Sequence, residues 1–328
     1  MSDAPTFVST GVLPPGERVT ALVVEAHERF RDNSDGELST VYPSLAAVDP
    51  ERFGICVANT TGAIVAAGDA DTEFTIMSVA KPFVFALMGD VHGPEAVLDF
   101  VGVNATGRRF NAVSAIEDHP DGRTNPMVNP GAIATTSMIP GTDQEQKWAF
   151  LRNGLSRFAG RELTLDDETF ASASATNAVN RAIGDLLRSR GRLQADPDET
   201  VDLYTRQSCL NVTARDLAVM AATLAGGGVN PLTGEQVADQ VSCRCALVVM
   251  ATAGLYETSG EWLQQVGLPG KSGIGGGILM VSPGKGGLGT FGPRLDAAGN
   301  SVKGQLAASF LSRALGLDLF VSAPENTN

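Results

Sequence analysis

Segments with strand-forming patterns lie near both ends of this chain, and a long stretch typical of helices and loops separates them. The first, FGICVANTTGAIVAAGD at residues 53–69, has two β-branched runs around a Thr-Gly turn, which predicts a β-hairpin. The second lies in a glycine-dense region, where apolar runs at 277–282 and 287–291 flank a PGKGG turn and predict another hairpin. This order predicts an α+β fold, with one antiparallel sheet built from both chain ends and a helical lobe inserted between them.

The chain is long enough to bury one large core. It has 328 residues, of which 43% are hydrophobic. We expect a flexible N-terminal tail at 1–16, a single domain at 17–320 and a C-terminal tail at 321–328. The sheet lobe is expected at about 17–75 and 265–320, the helical lobe at about 76–264, and a site in the crevice between them.

Apolar periodicity predicts the helices. Trp148, Leu151, Leu155 and Phe158 recur at helical spacing and indicate core packing. Thr213, with Asp216 three residues later, predicts a capped helix that ends at three glycines. The remaining predicted helices are 17–31, 78–90, 235–253 and about 301–315, and the middle of the chain, including 125–137, is expected to be rich in loops.

Composition excludes several classes of partner. The net charge is −13, with no basic run, which argues against nucleic acid and anionic membrane surfaces. No apolar stretch is long enough to span a bilayer, and the N-terminus lacks a secretory signal pattern, so we expect a cytoplasmic protein. The cysteines match neither a disulfide framework nor a zinc site, so buried thiols and no metal are expected at Cys56, Cys209, Cys243 and Cys245.

The stretch TIMSVAKPFVF, residues 75–85, places Ser78 and Lys81 three apart where a helix is predicted to begin. Residues i and i+3 of a helix lie on one face, so the serine hydroxyl would lie beside the lysine amine. A serine needs a neighbouring base to become a nucleophile, and a lysine serves when burial lowers its pKa. The three histidines are far apart in sequence, so lysine is the natural base for any hydrolytic chemistry.

The four-residue pattern alone does not decide the matter. A second Ser-x-x-Lys, Ser282 to Lys285, contains Pro and Gly and predicts a turn in which the two side chains need not share a face. The chemical interpretation of Ser78 and Lys81 therefore depends on the rest of the chain.

Several separated blocks of this chain resemble the bacterial glutaminase family, whose members share the fold of the penicillin-recognising, β-lactamase-like serine hydrolases. The resemblance covers about residues 38–315. It rests on the blocks LAAVDPERFGI, FTIMSVAKPF, RRFNAV, NPMVNPGAIATTS, LYTRQSCLNVTARDLAVMAATLAGGGVNPLTGEQV, GLYETSG, VGLPGKSGIGGGI and LDAAGNSVKG.

The resemblance implies a serine hydrolase that converts L-glutamine to L-glutamate and ammonia without a cofactor. Ser78 would be the nucleophile and Lys81 its base, while Tyr204 and Tyr256 would assist proton transfer and position the substrate. A tyrosine beside a lysine ammonium is expected to have a lowered pKa.

The same resemblance implies the binding groups. Backbone N–H groups of Ser78 and Ile274 would hold the oxyanion, and the glycines on either side of Ile274 would let the backbone approach closely. Asn129 and Asn180 match amides that bind the substrate. Family members form dimers or higher assemblies, so a homodimer or homotetramer is expected.

The chain departs from the family in the expected pocket. Ala173 stands where the family has a glutamate that binds the substrate's α-ammonium, and breaking a buried ion pair costs about 3–5 kcal/mol. Another acid, such as Asp166 or Glu168, is the alternative partner for that ammonium. The other departures are Asn177, Ala178 and Val179 for Gly-Asp-Arg, Met77 for Gln, Pro130 for Ala, and Val41 in place of a tyrosine that is shifted here to Tyr42.

Three functions remain open from the sequence. The first is a glutaminase, favoured by the catalytic set. The second is an amidohydrolase of the same mechanism acting on a carboxamide without a free α-ammonium, favoured by Ala173, Met77 and Val41. The third is an inactive binding protein of the same fold, which ranks last because Ser78 and Lys81 are kept.

Overall fold

The computed structural model describes residues 13–322, so the segments 1–12 and 323–328 of the expected tails lie outside the described residues. The strands are β1 Glu37–Leu38, β2 Gly54–Asn59, β3 Ile64–Gly68, β4 Phe74–Thr75, β5 Asn211–Val212, β6 Gly270–Ser272, β7 Gly277–Ser282, β8 Gly286–Phe291 and β9 Arg294–Leu295.

Helices fill most of the chain between β3 and β6, and three more lie outside that stretch. They are α1 Gly16–Phe30, α2 Pro43–Ala46, α3 Lys81–His92, α4 Pro94–Val101, α5 Ser114–Glu117, α6 Asn129–Thr136, α7 Gln144–Ala159, α8 Asp167–Ala175, α9 Ala178–Ser189, α10 Pro197–Ser208, α11 Ala214–Ala225, α12 Gln240–Ala253, α13 Ser259–Val266 and α14 Val302–Ala314.

The main sheet has the strand order β3-β2-β8-β7-β6, and every pair in it is antiparallel. Strand β2 pairs with β3 on one side and with β8 on the other, so the early hairpin and the late hairpin join. This confirms the predicted α+β fold, in which one antiparallel sheet is built from both ends of the chain.

The sheet is buried on both faces. Because successive strand residues point to opposite faces, Ile278 and Met280 belong to the core under α1 and α14, while Leu279 and Val281 belong to the core under the helical region. A strand buried on both sides must be apolar at consecutive positions, and all of β7 is buried.

Helix α11 packs directly on β8. Thr213 and Asp216 form the predicted capping box at its start. On β8, a Cβ at Gly287 would lie 2.2 Å from Ala221 Cβ, and one at Gly289 would lie 2.1 Å from Ala214 O. The glycines therefore let the helix approach the sheet closely, which is one reason for the glycine-dense sequence.

Three local predictions were wrong. Ser78 does not lie in an α-helix but in a 3₁₀ turn, Met77–Ala80, that precedes α3. Helix α12 starts at Gln240 rather than at 235, because the Asp239 side chain caps it. The supposed loop at 125–137 contains α6, whose residues are all buried and are held by tertiary packing rather than by helix propensity.

The helices of residues 13–322 include none that is both long enough and apolar enough to cross a membrane.

Candidate active site

A cavity of about 290 Å³ lies where the 3₁₀ turn, α6, α9 and α10 meet the loop after β6. Of the residues predicted from sequence, the cavity brings together Ser78, Asn129, Asn180, Tyr204 and Ile274. Lys81 and Tyr256 lie just behind this lining, since each is hydrogen-bonded to a lining residue. All seven predicted site residues therefore meet in one place.

Ser78 is held in a strained turn. The preceding residue, Met77, has φ +48°, a left-handed conformation that is uncommon for a residue with a side chain. The loop carrying Ile274 packs against this turn through its flanking glycines. A Cβ at Gly273 would lie 3.0 Å from Ile76 O, and one at Gly275 would lie 2.4 Å from Thr75 O.

Lys81 is 2% exposed, although it carries an amine. Its Nζ donates to Asn129 Oδ1 at 2.8 Å and to the backbone oxygen of Met127 at 3.3 Å. Burial lowers the pKa of Lys81 to about 7, because desolvation disfavours the charged form. A substantial fraction of this amine is therefore neutral near pH 7, as a base requires.

Tyr204 comes from the middle of α10 and is buried. Its hydroxyl donates to Asn129 Oδ1 at 2.9 Å, so one amide oxygen accepts from both Tyr204 and Lys81. The Lys81 Nζ also lies 5.9 Å from the centre of the tyrosine ring. Tyr204 therefore helps to hold the Asn129 amide with its oxygen facing Lys81.

Tyr256 also has a left-handed backbone, with φ +56°. Its side chain is hydrogen-bonded to Ser78, and its hydroxyl donates to the Ser272 backbone oxygen at 3.3 Å. The ring of Phe110 packs on it, with ring centres 4.7 Å apart. Strained backbone is common at functional sites, and here it places the phenol beside the nucleophile.

The expected lowering of a tyrosine pKa is wrong for both residues. Burial raises the pKa of Tyr256 to about 12, with the hydrogen bonds from Ser78 and Ser272 acting only partly against it. Burial also raises the pKa of Tyr204 well above its usual value. Both phenols are therefore protonated at neutral pH, so each hydroxyl can donate a hydrogen bond.

Lys271 on β6 belongs to this site, although sequence reasoning did not assign it a role. It is fully buried, its Nζ lies 4.4 Å from the centre of the Tyr256 ring, and it donates to the Ser272 backbone oxygen at 2.6 Å. Burial, and then the charge on Lys81, lower its pKa well below the usual value. The Lys-Ser-Gly run at 271–273 was the available signal.

Among the lining residues that sequence reasoning missed are Phe110 and Asn177. Phe110 contacts Tyr256, and its backbone oxygen accepts the N–H of Asn129 at 2.7 Å. The RRFNAV block was the signal for Phe110. Asn177 was noted only as a departure from the family, and its contacts depend on side-chain positions that no sequence pattern shows.

The described lining of the cavity contains no charged side chain. Ala173, Val41, Met77 and Val179 belong to this lining, and Tyr42 also reaches it, although it lies one position from the family's tyrosine. The described lining contains no aspartate or glutamate.

The two acids considered as replacements do not reach this lining. Asp166 instead caps helix α8 by accepting from the Thr169 N–H at 2.8 Å, and Glu168 is not part of the lining.

The described residues offer no metal chemistry at this site. No group of three or more His, Cys, Asp or Glu within residues 13–322 has an arrangement that could hold a metal ion. All four cysteines are free and buried, as expected, and burial raises the pKa of Cys209, which lines the cavity, to about 12.

Comparisons with known proteins agree with this arrangement. The glutaminase family profile matches residues 36–320. Glutaminase 2 of Yersinia pestis is 62% identical over 318 residues, which cover 97% of this chain and 94% of that protein.

Two solved structures are similar to this chain in fold as well as in sequence. One, described as a probable glutaminase, has a TM-score of 0.92 at 40% identity and covers 94% of this chain and 100% of its own. The structure of Mglu in its glutamate form has a TM-score of 0.87 at 37% identity, covering 93% of this chain and 71% of its own.

Proposed function

Because this chain belongs to the glutaminase family, we propose that it hydrolyses L-glutamine to L-glutamate and ammonia through an acyl-enzyme on Ser78. The observation that carries the mechanism is the buried Lys81 amine, which lies in the same site as Ser78 and has two acceptors for its N–H groups. The glutamate form of a structural neighbour, Mglu, supports glutamate as the product.

Lys81 is the base that activates Ser78. A neutral amine has two N–H groups and one lone pair. The Met127 backbone oxygen and Asn129 Oδ1 accept the two N–H groups, which leaves the lone pair free for the serine proton. This geometry explains why two acceptors, and no carboxylate, surround the lysine.

Acylation forms the bond from Ser78 Oγ to the amide carbon and breaks the carbon–nitrogen bond. Ser78 gives its proton to Lys81, and Tyr256 gives a proton to the departing nitrogen, which leaves as ammonia. The phenolate then regains a proton at the expense of the Lys81 ammonium. In deacylation a water molecule attacks the ester, glutamate leaves and Ser78 is protonated again.

The roles of the oxyanion donors and of the substrate-binding amides are inferred from where each group lies in the site. The N–H groups of Ser78 and Ile274 hold the oxyanion, since the glycine-flanked loop lies against the Ser78 turn. Asn129 and Asn180 bind the substrate from the cavity wall, and Tyr204 fixes Asn129.

Ammonia release from L-glutamine, with Ser78→Ala as the matched variant, tests this proposal. We expect the variant to lose activity by about 10⁴-fold or more while remaining folded. A Ser78→Ala enzyme that keeps its activity would refute the acyl-enzyme. A wild-type protein without activity on L-glutamine would refute the substrate.

A second candidate function is hydrolysis of a carboxamide without an α-ammonium group. The uncharged wall around Ala173 favours it, because a buried ammonium without a carboxylate partner is costly. Glutaramate, which is glutamine without its amino group, separates the two functions. A higher kcat/KM for glutaramate than for L-glutamine would support the second, and the reverse order would exclude it.

We also propose that the protein works in the cytoplasm as a homodimer or homotetramer. This rests on the family resemblance and on the absence of a membrane-spanning helix among residues 13–322. Light scattering of the purified protein measures its mass, and a monomer at micromolar concentration would refute the assembly.

A further inference from the structure

Three asparagines form a continuous row of hydrogen bonds from the catalytic lysine to helix α10, and we call Asn129, Asn180 and Asn177 the amide row. Asn129 Nδ2 donates to Asn180 Oδ1 at 3.0 Å. Asn180 Nδ2 donates to Asn177 Oδ1 at 2.6 Å, and Asn177 Nδ2 donates to Thr205 Oγ1 at 2.6 Å. Each amide donates to the next in the same direction.

Both ends of the amide row fix this direction. At one end Lys81 Nζ and the Tyr204 hydroxyl both donate to Asn129, so the atom of Asn129 that faces them must be its oxygen. At the other end the Thr205 hydroxyl already donates to the Val201 backbone oxygen at 2.7 Å, so it must accept from Asn177. An amide turned the wrong way would set two N–H groups against each other.

Asn177 is the part of the row that has no assigned role. It is 7% exposed, precedes α9 and lines the cavity. We propose that Asn177 is a positioning residue: it holds the Asn180 amide in one orientation and, through Asn129, keeps an oxygen directed at Lys81. This inference rests on the proposed function, since it assigns Asn177 a part in the same reaction.

Loss of Asn177 would free the row at its far end. The Asn180 amide could then rotate, and Asn129 Nδ2 would lose its fixed acceptor. The Asn129 oxygen would be held only by the Lys81 and Tyr204 donors, so the acceptor of the lysine ammonium and the amides that face the substrate would be less well ordered. The titratable groups near Lys81 are Lys271 on β6, which has no acceptor atom while it is protonated, and Tyr204 on α10, whose hydroxyl is already bonded to Asn129 Oδ1.

The test compares Asn177→Leu, which removes both polar functions, with Asn177→Asp, which keeps the oxygen that Asn180 needs. For Asn177→Leu we expect KM for L-glutamine to rise about tenfold, as for the loss of about one hydrogen bond. We also expect the acid limb of its kcat/KM profile to move to lower pH, because the protonated form of Lys81 is less stable. Asn177→Asp should leave the acid limb in place or move it to higher pH.

Asn230→Leu is the control for a merely structural asparagine. Asn230 is fully buried and donates to the Arg157 and Phe158 backbone oxygens, and it does not line the cavity. Its loss should lower the melting temperature while the folded enzyme keeps its KM and pH profile. If Asn177→Leu behaves in the same way, the proposal is overturned.

Thr205→Val keeps the experiment decisive if Asn177→Leu does not fold. It removes the far acceptor at equal volume, and we expect KM to rise about threefold as the row loosens. A wild-type KM in Thr205→Val would overturn the proposal. If the wild-type protein itself fails to hydrolyse L-glutamine, the proposed function fails first, so the two failures are distinguishable.

Discussion

Replacing Lys81 with methionine should inactivate the enzyme and stabilise the protein. Burial lowers the pKa of Lys81 from 10.5 to about 7. In the unfolded chain this amine is charged below pH 10.5. Folding must therefore either remove its proton or bury the positive charge. Since one pH unit corresponds to about 1.4 kcal/mol, the burial costs about 4 kcal/mol of unfolding free energy at pH 7 and about 2 kcal/mol at pH 9.

The direction of the pH dependence follows from the number of protons that the native and unfolded states bind. Between pH 7 and 10.5 the unfolded state binds a proton that the native state does not, so the unfolding free energy of the wild type rises with pH. The unfolding free energy of Lys81→Met lacks this contribution to the pH dependence. The variant's loss of hydrogen bonds to Met127 and Asn129 costs about 1–3 kcal/mol, but that cost does not depend on pH.

Urea unfolding at pH 7 and pH 9, at one protein concentration, measures this effect. The stability advantage of Lys81→Met should be about 2 kcal/mol larger at pH 7 than at pH 9. Lys147→Met, which removes a lysine that is 14% exposed and ion-paired with Glu199, is the control for loss of a positive charge. An advantage of Lys81→Met that is the same at both pH values would refute the reasoning.

Three further predictions follow from the site and the sheet. The kcat/KM for L-glutamine should rise as the pH rises through about 7, where Lys81 loses its proton, and a flat profile between pH 6 and 8 would contradict the assigned base. Ala173→Glu adds a carboxylate to an uncharged part of the cavity lining. The substitution should lower KM for L-glutamine by about tenfold or more and raise KM for glutaramate. Steady-state kinetics with both substrates measures these changes. Gly287→Ala should destabilise the protein by about 1–3 kcal/mol in urea unfolding, since its Cβ would collide with Ala221, and an unchanged midpoint would show that α11 can move away.

The sequence predicted the main hairpins and a capped helix of this fold, because their turn and cap residues lie close together in the chain. The hairpins at 53–69 and 277–291 and the capping box at Thr213 each have turn or cap residues that act within a few positions. Helix α6 was missed because Pro130, Gly131 and its threonines are poor helix formers, and only burial on all sides keeps it helical.

The site was partly predictable for a similar reason. Ser78 and Lys81 lie close in sequence, and the family resemblance supplied the distant residues. The raised pKa of Tyr256 could not be foreseen, because it depends on complete burial. The amide row was equally invisible, since Asn129, Asn177 and Asn180 meet only when α6 and α9 pack together.

The pairing of β2 with β8 also constrains how the protein is made. Gly54 faces Phe291 across the ladder, so during synthesis the β2 edge of the early hairpin stays unpaired until the late strands have left the ribosome. Contacts so distant in sequence form slowly, and an open edge can pair with other chains. The nascent chain is therefore open to aggregation through this edge until β8 pairs with it. The proposed active site is also incomplete until the chain is nearly finished, because Lys271 and Ile274 are synthesised long after Ser78.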